Sequence, residues 1–305
     1  MSITAMLRAV CALVLLGFFV ASPAALAKPN RCTPLEVQPR FVPGQPSSVA
    51  TAIKLLDRGS AVDAKRAAEL LCKDARRSDP DAEFVLALQL LKGSDVARDV
   101  ELAKIWFEKA ALQGHANAQF NLAQLLSREG KPASDQEAAK WFIAAAVNGH
   151  TAAAYNAAVY FYEGRGVKRD LPQAFKYFET AAKAGKVEAM HNLGNLYLGG
   201  EGTKRDPQTA LHWFTKAADA GHPPALYSLA SMYKNGDGVS ADLPKAFRFY
   251  MTAAEKGDGL SQYMVAYMYL KGEGVEQSRD SAVRWLKKAS ANGVPEAAKA
   301  LQRLQ

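Results

Sequence analysis

A glycine that returns at a nearly fixed interval restricts this chain more than any other feature. Gly114, Gly149, Gly185, Gly221, Gly257 and Gly293 each follow a pair of small residues, and the steps between them are 35, 36, 36, 36 and 36 residues. One step further back falls on Ser78. A period of this length marks a stack of short supersecondary units rather than one closed core. Six full units follow from it, at 79–114, 115–149, 150–185, 186–221, 222–257 and 258–293.

Each unit reads as two antiparallel helices. Fifteen residues before the closing glycines stand Asp99, Ser134, Asp170, Asp206, Asp242 and Ser278. Their short oxygen-bearing side chains suit the N-cap of a second helix, where they accept from otherwise unpaired amides. Pro172, Pro207 and Pro244 follow in three units, in a first turn where a missing N–H costs little. Eleven back lie Ala103, Ala138, Ala174, Ala210, Ala246 and Ala282; eight back lie Trp106, Trp141, Tyr177, Trp213, Phe249 and Trp285; three and four back are alanine or serine. These offsets trace one helical face, and the glycine then supplies a left-handed end.

The first helix is read forward from the preceding closing residue. Ala82, Ala118, Ala153, Ala189, Ala225 and Ser261 hold the fourth position, and Ala87, Ala123, Ala158, Gly194, Ala230 and Ala266 the ninth. Small side chains there let the paired helices approach closely, while Leu90, Leu126, Phe161, Tyr197, Tyr233 and Tyr269 fill the wider gaps. No such pair can bury its apolar face alone, so neighbours must stack, which makes an all-α solenoid.

Units such as AMHNLGNLYLGGEGTKRDPQTALHWFTKAADAG resemble Sel-one-like repeats, relatives of the tetratricopeptide repeat. The resemblance covers residues 79–293. Residues 48–78 look like a degraded unit that keeps Asp63 at the cap position and Ala67 at the crossing, and 294–305 resemble a lone capping first helix. It implies a right-handed superhelix with first helices lining its concave wall, and a protein or peptide partner from an envelope assembly, sensor regulation, polysaccharide export or host contact. Some cysteine-rich secreted members are associated with β-lactamase-like activity; their repeats carry cysteine pairs. This chain has no cysteine between Lys73 and Gln305, which weakens that enzymatic reading.

Residues 1–27 read as a signal peptide. Arg8 provides its positive start, AVCALVLLGFFVA an apolar stretch shorter than a bilayer span, and Ala25 and Ala27 a cleavage site, so the mature chain is expected to be periplasmic or secreted with no membrane span. In an oxidising compartment Cys32 and Cys72 can bridge and staple the irregular segment 28–47 onto the first helices, or remain two partly buried thiols. Removing Arg8 lowers the formal charge from +8 to +7. That surplus is spread along the chain without interleaved aromatics, so no nucleic acid is expected, while weak attraction to a cell-surface polysaccharide fits it.

Neither catalytic residues, a metal site nor a cofactor is expected. The paired glycines at 164 and 166, 200 and 202, 236 and 238, and 272 and 274 follow helices rather than strands, and read as loop residues instead of a phosphate cradle. His115, His150 and His222 recur one per repeat and do not converge on a metal; His191 and His212 have no nucleophile motif beside them. What remains is a stripe at the third, seventh and tenth positions of the first helices. Its candidate partner-binding residues are Asn121, Asn156, Asn192 and Asn195, with Asn117 and Gln124 beside them, and at the far end Leu260, Met264 and Tyr267. Amides there can bond an extended peptide or bond within the helix layer. The rival readings are a cell-wall or β-lactam hydrolase and a carbohydrate-binding module.

Overall fold

The computed structural model of the protein describes Cys32 and residues 47–93 and 96–304. The leader read over 1–27 and, apart from Cys32 and Ser47, the segment read over 28–47 lie outside the described residues. Within them are fifteen α-helices and no strand. A first pair, α1 (Val49–Asp57) and α2 (Ala61–Ala75), is followed by α3 (Pro80–Lys92) with α4 (Val100–Leu112), α5 (Ala116–Arg128) with α6 (Pro132–Val147), and α7 (Thr151–Glu163) with α8 (Leu171–Lys183). Then come α9 (Val187–Gly199) with α10 (Pro207–Asp219), α11 (Pro223–Asn235) with α12 (Leu243–Glu255), α13 (Gly259–Lys271) with α14 (Arg279–Ala291), and a single α15 (Pro295–Leu304). Each helix packs chiefly on its neighbours in chain order, which is the connectivity of an α-solenoid.

Alanine closes the crossing points. All six residues of the fourth register and all six of the ninth are buried. Gly194 shows how little room the ninth register has, because a Cβ there would stand 2.6 Å from the Phe214 ring. Phe214 belongs to a column seven residues before each closing glycine, with Phe107, Phe142, Phe178, Tyr250 and Leu286, none more than 3 % exposed. The rings eight residues back differ: Trp106 is buried, whereas Trp141, Tyr177, Trp213, Phe249 and Trp285 are half-buried. Steps of four and then three from the crossing alanine reach the seventh offset and then the fourth, the centre of the buried face; the eighth lies roughly 100° round the helix from the seventh.

Five of the expected N-caps are in place. Asp99, Asp170, Asp206, Asp242 and Ser278 each accept from the backbone N–H three residues on, at 2.9 to 3.2 Å. Ser134 is not a cap, a correction to the sequence reading. Lys131 occupies that place and Pro132 starts α6 earlier, its ring already set at a helical φ, so Ser134 lies inside the helix and its Oγ donates to Glu129 Oε2 at 2.7 Å. Asp63 is likewise inside α2; the cap is Ser60, whose Oγ accepts from Asp63 N–H at 3.0 Å and donates to Asp63 Oδ2 at 2.8 Å.

The closing glycines have φ between +79° and +93°, and Ser78 holds the same place at φ +60°, the one non-glycine with positive φ among the described residues. In the glycine pairs the first residue ends the first helix in a left-handed turn. The second seats the loop on the preceding repeat: a Cβ on Gly202 would lie 2.3 Å from the Leu171 carbonyl oxygen, and one on Gly166 2.2 Å from that of Asp135. Each loop thus rests on the start of the previous second helix.

Polar clasps tie the outer repeats together. Gln119 Nε2 donates to the Ala111 carbonyl at 2.9 Å, while Asn148 Nδ2 donates to Gln119 Oε1 at 2.9 Å and to the Gly114 carbonyl at 3.2 Å. Gln262 and Asn292 repeat the arrangement on Ala254 and Gly257. In the middle repeats the same fifth register carries Ala154, Met190 and Leu226. At the N-terminal end a disulfide joins Cys32 to Cys72, Trp106 Nε1 donates to the Cys32 carbonyl at 3.1 Å, and Ser48 N–H donates to Asp74 Oδ2 at 2.6 Å.

Gly202→Ala is expected to destabilise by about 3 kcal/mol or more, because overpacking and a left-handed backbone add. Gly185→Ala, where a Cβ meets nothing within 4 Å, should lose about 1–2 kcal/mol from backbone alone. Equal losses in urea melts would show that the loops are not seated. Reduction of the bridge between Cys32 and Cys72, 40 residues apart, should lower stability by about 2–4 kcal/mol, read from urea unfolding with and without reductant.

Candidate functional site

The first helices form one layer of the stack, and contacts between successive ones decide which side chains stay free. Asn117 is exposed, and Asn121 Nδ2 donates back to its carbonyl at 2.8 Å, one turn away in the same helix. Asn156 and Asn192 are half-buried in consecutive repeats; Asn192 Nδ2 reaches the Tyr155 hydroxyl at 3.5 Å, the upper limit of a hydrogen bond. Asn195 is exposed one turn further along α9. The structure therefore brings Asn156 and Asn192 to the first helices of successive repeats, where Asn192 meets Tyr155, and turns Asn121 partly onto the backbone of its own helix.

The apolar end divides. Leu260 is 55 % exposed. Met264 and Tyr267 are half-buried against the cluster built on Ala230, Tyr250 and Val265, a cluster separate from the one that receives α15. Tyr267 also lies under Lys234, whose Nζ stands 4.7 Å from the ring centre and 3.3 Å from Glu273. Three repeats lie between this end and Asn121, so the two ends of the stripe meet only through a long ligand.

A second column beside the stripe escaped the sequence reading. The sixth register holds Phe84, Phe120, Tyr155, His191, Tyr227 and Tyr263. The first four lean on the first residue of the next repeat: Phe84 stacks on His115 at 4.5 Å, Phe120 on His150 at 4.2 Å, Tyr155 takes Lys186 over its face at 5.6 Å, and His191 meets His222 at 5.4 Å. His115 and His150 are also N-caps, their Nδ1 atoms accepting from Ala118 and Ala153 N–H at 3.1 Å. The signal was a ring at a constant register, hidden because phenylalanine, tyrosine and histidine alternate in it.

Burial sets the chemistry of the histidines. His191 Nε2 lies 3.1 Å from Ser228 Oγ in the next repeat, and desolvation, followed by the nearby charge of His222, pushes its pKa down to about 4. Burial also lowers His150 and His222. These are neutral packing rings. Among the described residues no three His, Cys, Asp or Glu side chains gather as a metal site requires, and no helix is long and apolar enough to cross a membrane.

The sign of the His191 effect follows from its lowered value. Stability is complete above the ordinary imidazole value of 6.5 and is lost as pH falls through about 4, because the unfolded chain takes up the proton first. An NMR titration of this ring should find its midpoint about 4; a midpoint near 6.5 would show that the ring column is open to water.

The repeat pattern has counterparts among known proteins. The Sel1 repeat model matches six consecutive segments, at 80–115, 116–150, 151–186, 187–222, 223–258 and 259–294. A protective antigen present in uropathogenic Escherichia coli strains and displaying an SLR fold superposes with a TM-score of 0.70 at 31 % identity, over 77 % of this chain. This chain spans half of that antigen's length. A Sel1 repeat protein from Oxalobacter formigenes superposes with a TM-score of 0.65 at 28 % identity, over 85 % of this chain and 75 % of its own. No functionally curated protein matches significantly. With six matched repeats in tandem, the chain belongs to the Sel1 repeat family.

Proposed function

We propose that this protein is an exported, non-catalytic scaffold that holds an extended protein or peptide segment against its row of first helices. Sel1 repeat proteins generally serve as protein-interaction scaffolds. The observation that carries the finer reading is the seventh register, where uncharged hydrogen-bonding side chains Asn121, Asn156, Asn192 and Ser228 recur in four consecutive repeats while the core is completed by other positions. An amide can donate to and accept from a peptide backbone without reading its sequence. Leu260 offers an apolar anchor at the C-terminal end of the row.

Export is supported by the leader-like residues 1–27 and by the Cys32–Cys72 bridge, a bond that persists outside the reducing cytosol. The partner then belongs to the cell envelope or its exterior, in an assembly or regulatory process. A carbohydrate ligand is the second reading, favoured by the half-buried rings Tyr155, Tyr227 and Tyr263 in the column beside the stripe.

Mature protein immobilised against an envelope extract should retain a protein partner, and Asn156→Ala, Asn192→Ala and Asn195→Ala combined should weaken capture at least about tenfold, the loss of one to two hydrogen bonds. Lys176→Ala, on the opposite layer, should leave it unchanged. Undiminished capture by the triple variant removes the groove from the account, and selective retention on a glycan array moves the assignment to carbohydrate.

A further inference from the structure

The fifth register exposes an inconsistency among the polar clasps. In the second and sixth repeats a glutamine there uses its oxygen to accept from the asparagine that precedes the closing glycine, and its nitrogen to donate to a carbonyl of the previous repeat, three residues before that repeat's closing glycine. In the first repeat the residue is Glu83. Its Oε2 accepts from Gln113 Nε2 at 2.7 Å, as the glutamine oxygen does. Its Oε1, where the glutamine nitrogen would be, is buried without a hydrogen-bond partner, in a residue only 1 % exposed. By register the acceptor facing that atom is the Ala75 carbonyl, which takes Ser78 N–H at 3.0 Å just as the Ala111 and Ala254 carbonyls take Gly114 and Gly257 at 3.0 and 3.1 Å.

We propose that Glu83 is a proton-operated latch between the disulfide-bonded N-terminal pair and the repeat array. With its proton on Oε1 it donates to the Ala75 carbonyl, as Gln119 and Gln262 donate to theirs. When the proton leaves to solvent, a carboxylate oxygen faces a carbonyl oxygen with no hydrogen between them, and α3 loosens from the last turn of α2.

The surroundings favour the protonated form. Burial is the dominant influence and raises Glu83 to about 7, against the opposing pull of Lys109 on α4 and the Gln113 bond, with Asp79 at the start of α3 raising it further. At the end of α2, Asp74 accepts from Ser48 N–H at 2.6 Å and Arg76 follows in the chain; Asp81 pairs with His115 at 3.2 Å. An acid held above its ordinary 4.5 stabilises the fold fully below that value and loses this contribution as pH rises through about 7, where the loss levels off. His150, His191 and His222 act in the opposite direction, so the reading is a difference between chains that share them.

The test compares the full mature chain with Glu83→Gln, which supplies a permanent donor of the same shape. Amide exchange at the α2–α3 junction, corrected for intrinsic rate, should speed up in the wild type by about tenfold per pH unit between about pH 5 and 7 and then level, while E83Q stays flat. Isotope-edited infrared spectra of wild type should show a protonated buried carboxyl at about pH 5 that is lost by about pH 8.5 and absent from E83Q. The wild-type half of that measurement needs no variant to fold. Parallel loss of protection in both chains, or a carboxyl already ionised at about pH 5, overturns the latch.

Discussion

Two helices can cross closely only where neither presents more than a methyl group, and this contact organises the whole molecule. Alanine or its equivalent at the fourth and ninth registers of each first helix, and eleven and four residues before each closing glycine, holds paired helices at short range. Larger side chains are then pushed between crossings, where Phe107, Phe142, Phe178, Phe214 and Tyr250 form the buried column. The bulk that would close the outer sides is excluded by the same spacing. The third, seventh and tenth registers lie beside that contact: Asn117 and Asn195 stay exposed there, while Met264 and Tyr267 pack on a neighbouring cluster.

Much of this was legible because caps, crossings and left-handed ends are local chemistry repeated six times. Asp170, Asp206 and Asp242 needed no tertiary knowledge to be read as caps. Ser134 misled because Pro132, a stronger local starter, stands just ahead of it in a repeat one residue short. Asp63 misled for the reverse reason: a serine three residues earlier competes for the same amides and wins. The eighth offset drew attention because tryptophan is conspicuous, although the helical turn places the seventh at the centre. Contacts between repeats were less legible. Nothing in the periodicity says that Phe120 stacks on His150, or that Met264 and Tyr267 turn partly into a neighbouring cluster while Leu260 does not.

The same fold joins its repeats in two ways. Toward the ends, Gln119 with Asn148 and Gln262 with Asn292 bridge neighbours by directional bonds that fix one relative orientation. In the centre, Ala154, Met190 and Leu226 replace them with apolar packing, which tolerates small rotations better than a hydrogen bond does. The amide row Asn156, Asn192 and Asn195 lies on that central stretch, between the more firmly joined ends.

The seating of each glycine loop on the helix before it gives the chain a direction. Leu171, Pro207 and Leu243, on which the loops rest, each belong to the unit before the loop they receive. At the N-terminal side the regular pattern gives way to a covalent cross-link and an irregular pair. The array is therefore polar along its axis, each glycine loop seated on the unit before it and the disulfide at the end where the loops have no earlier unit.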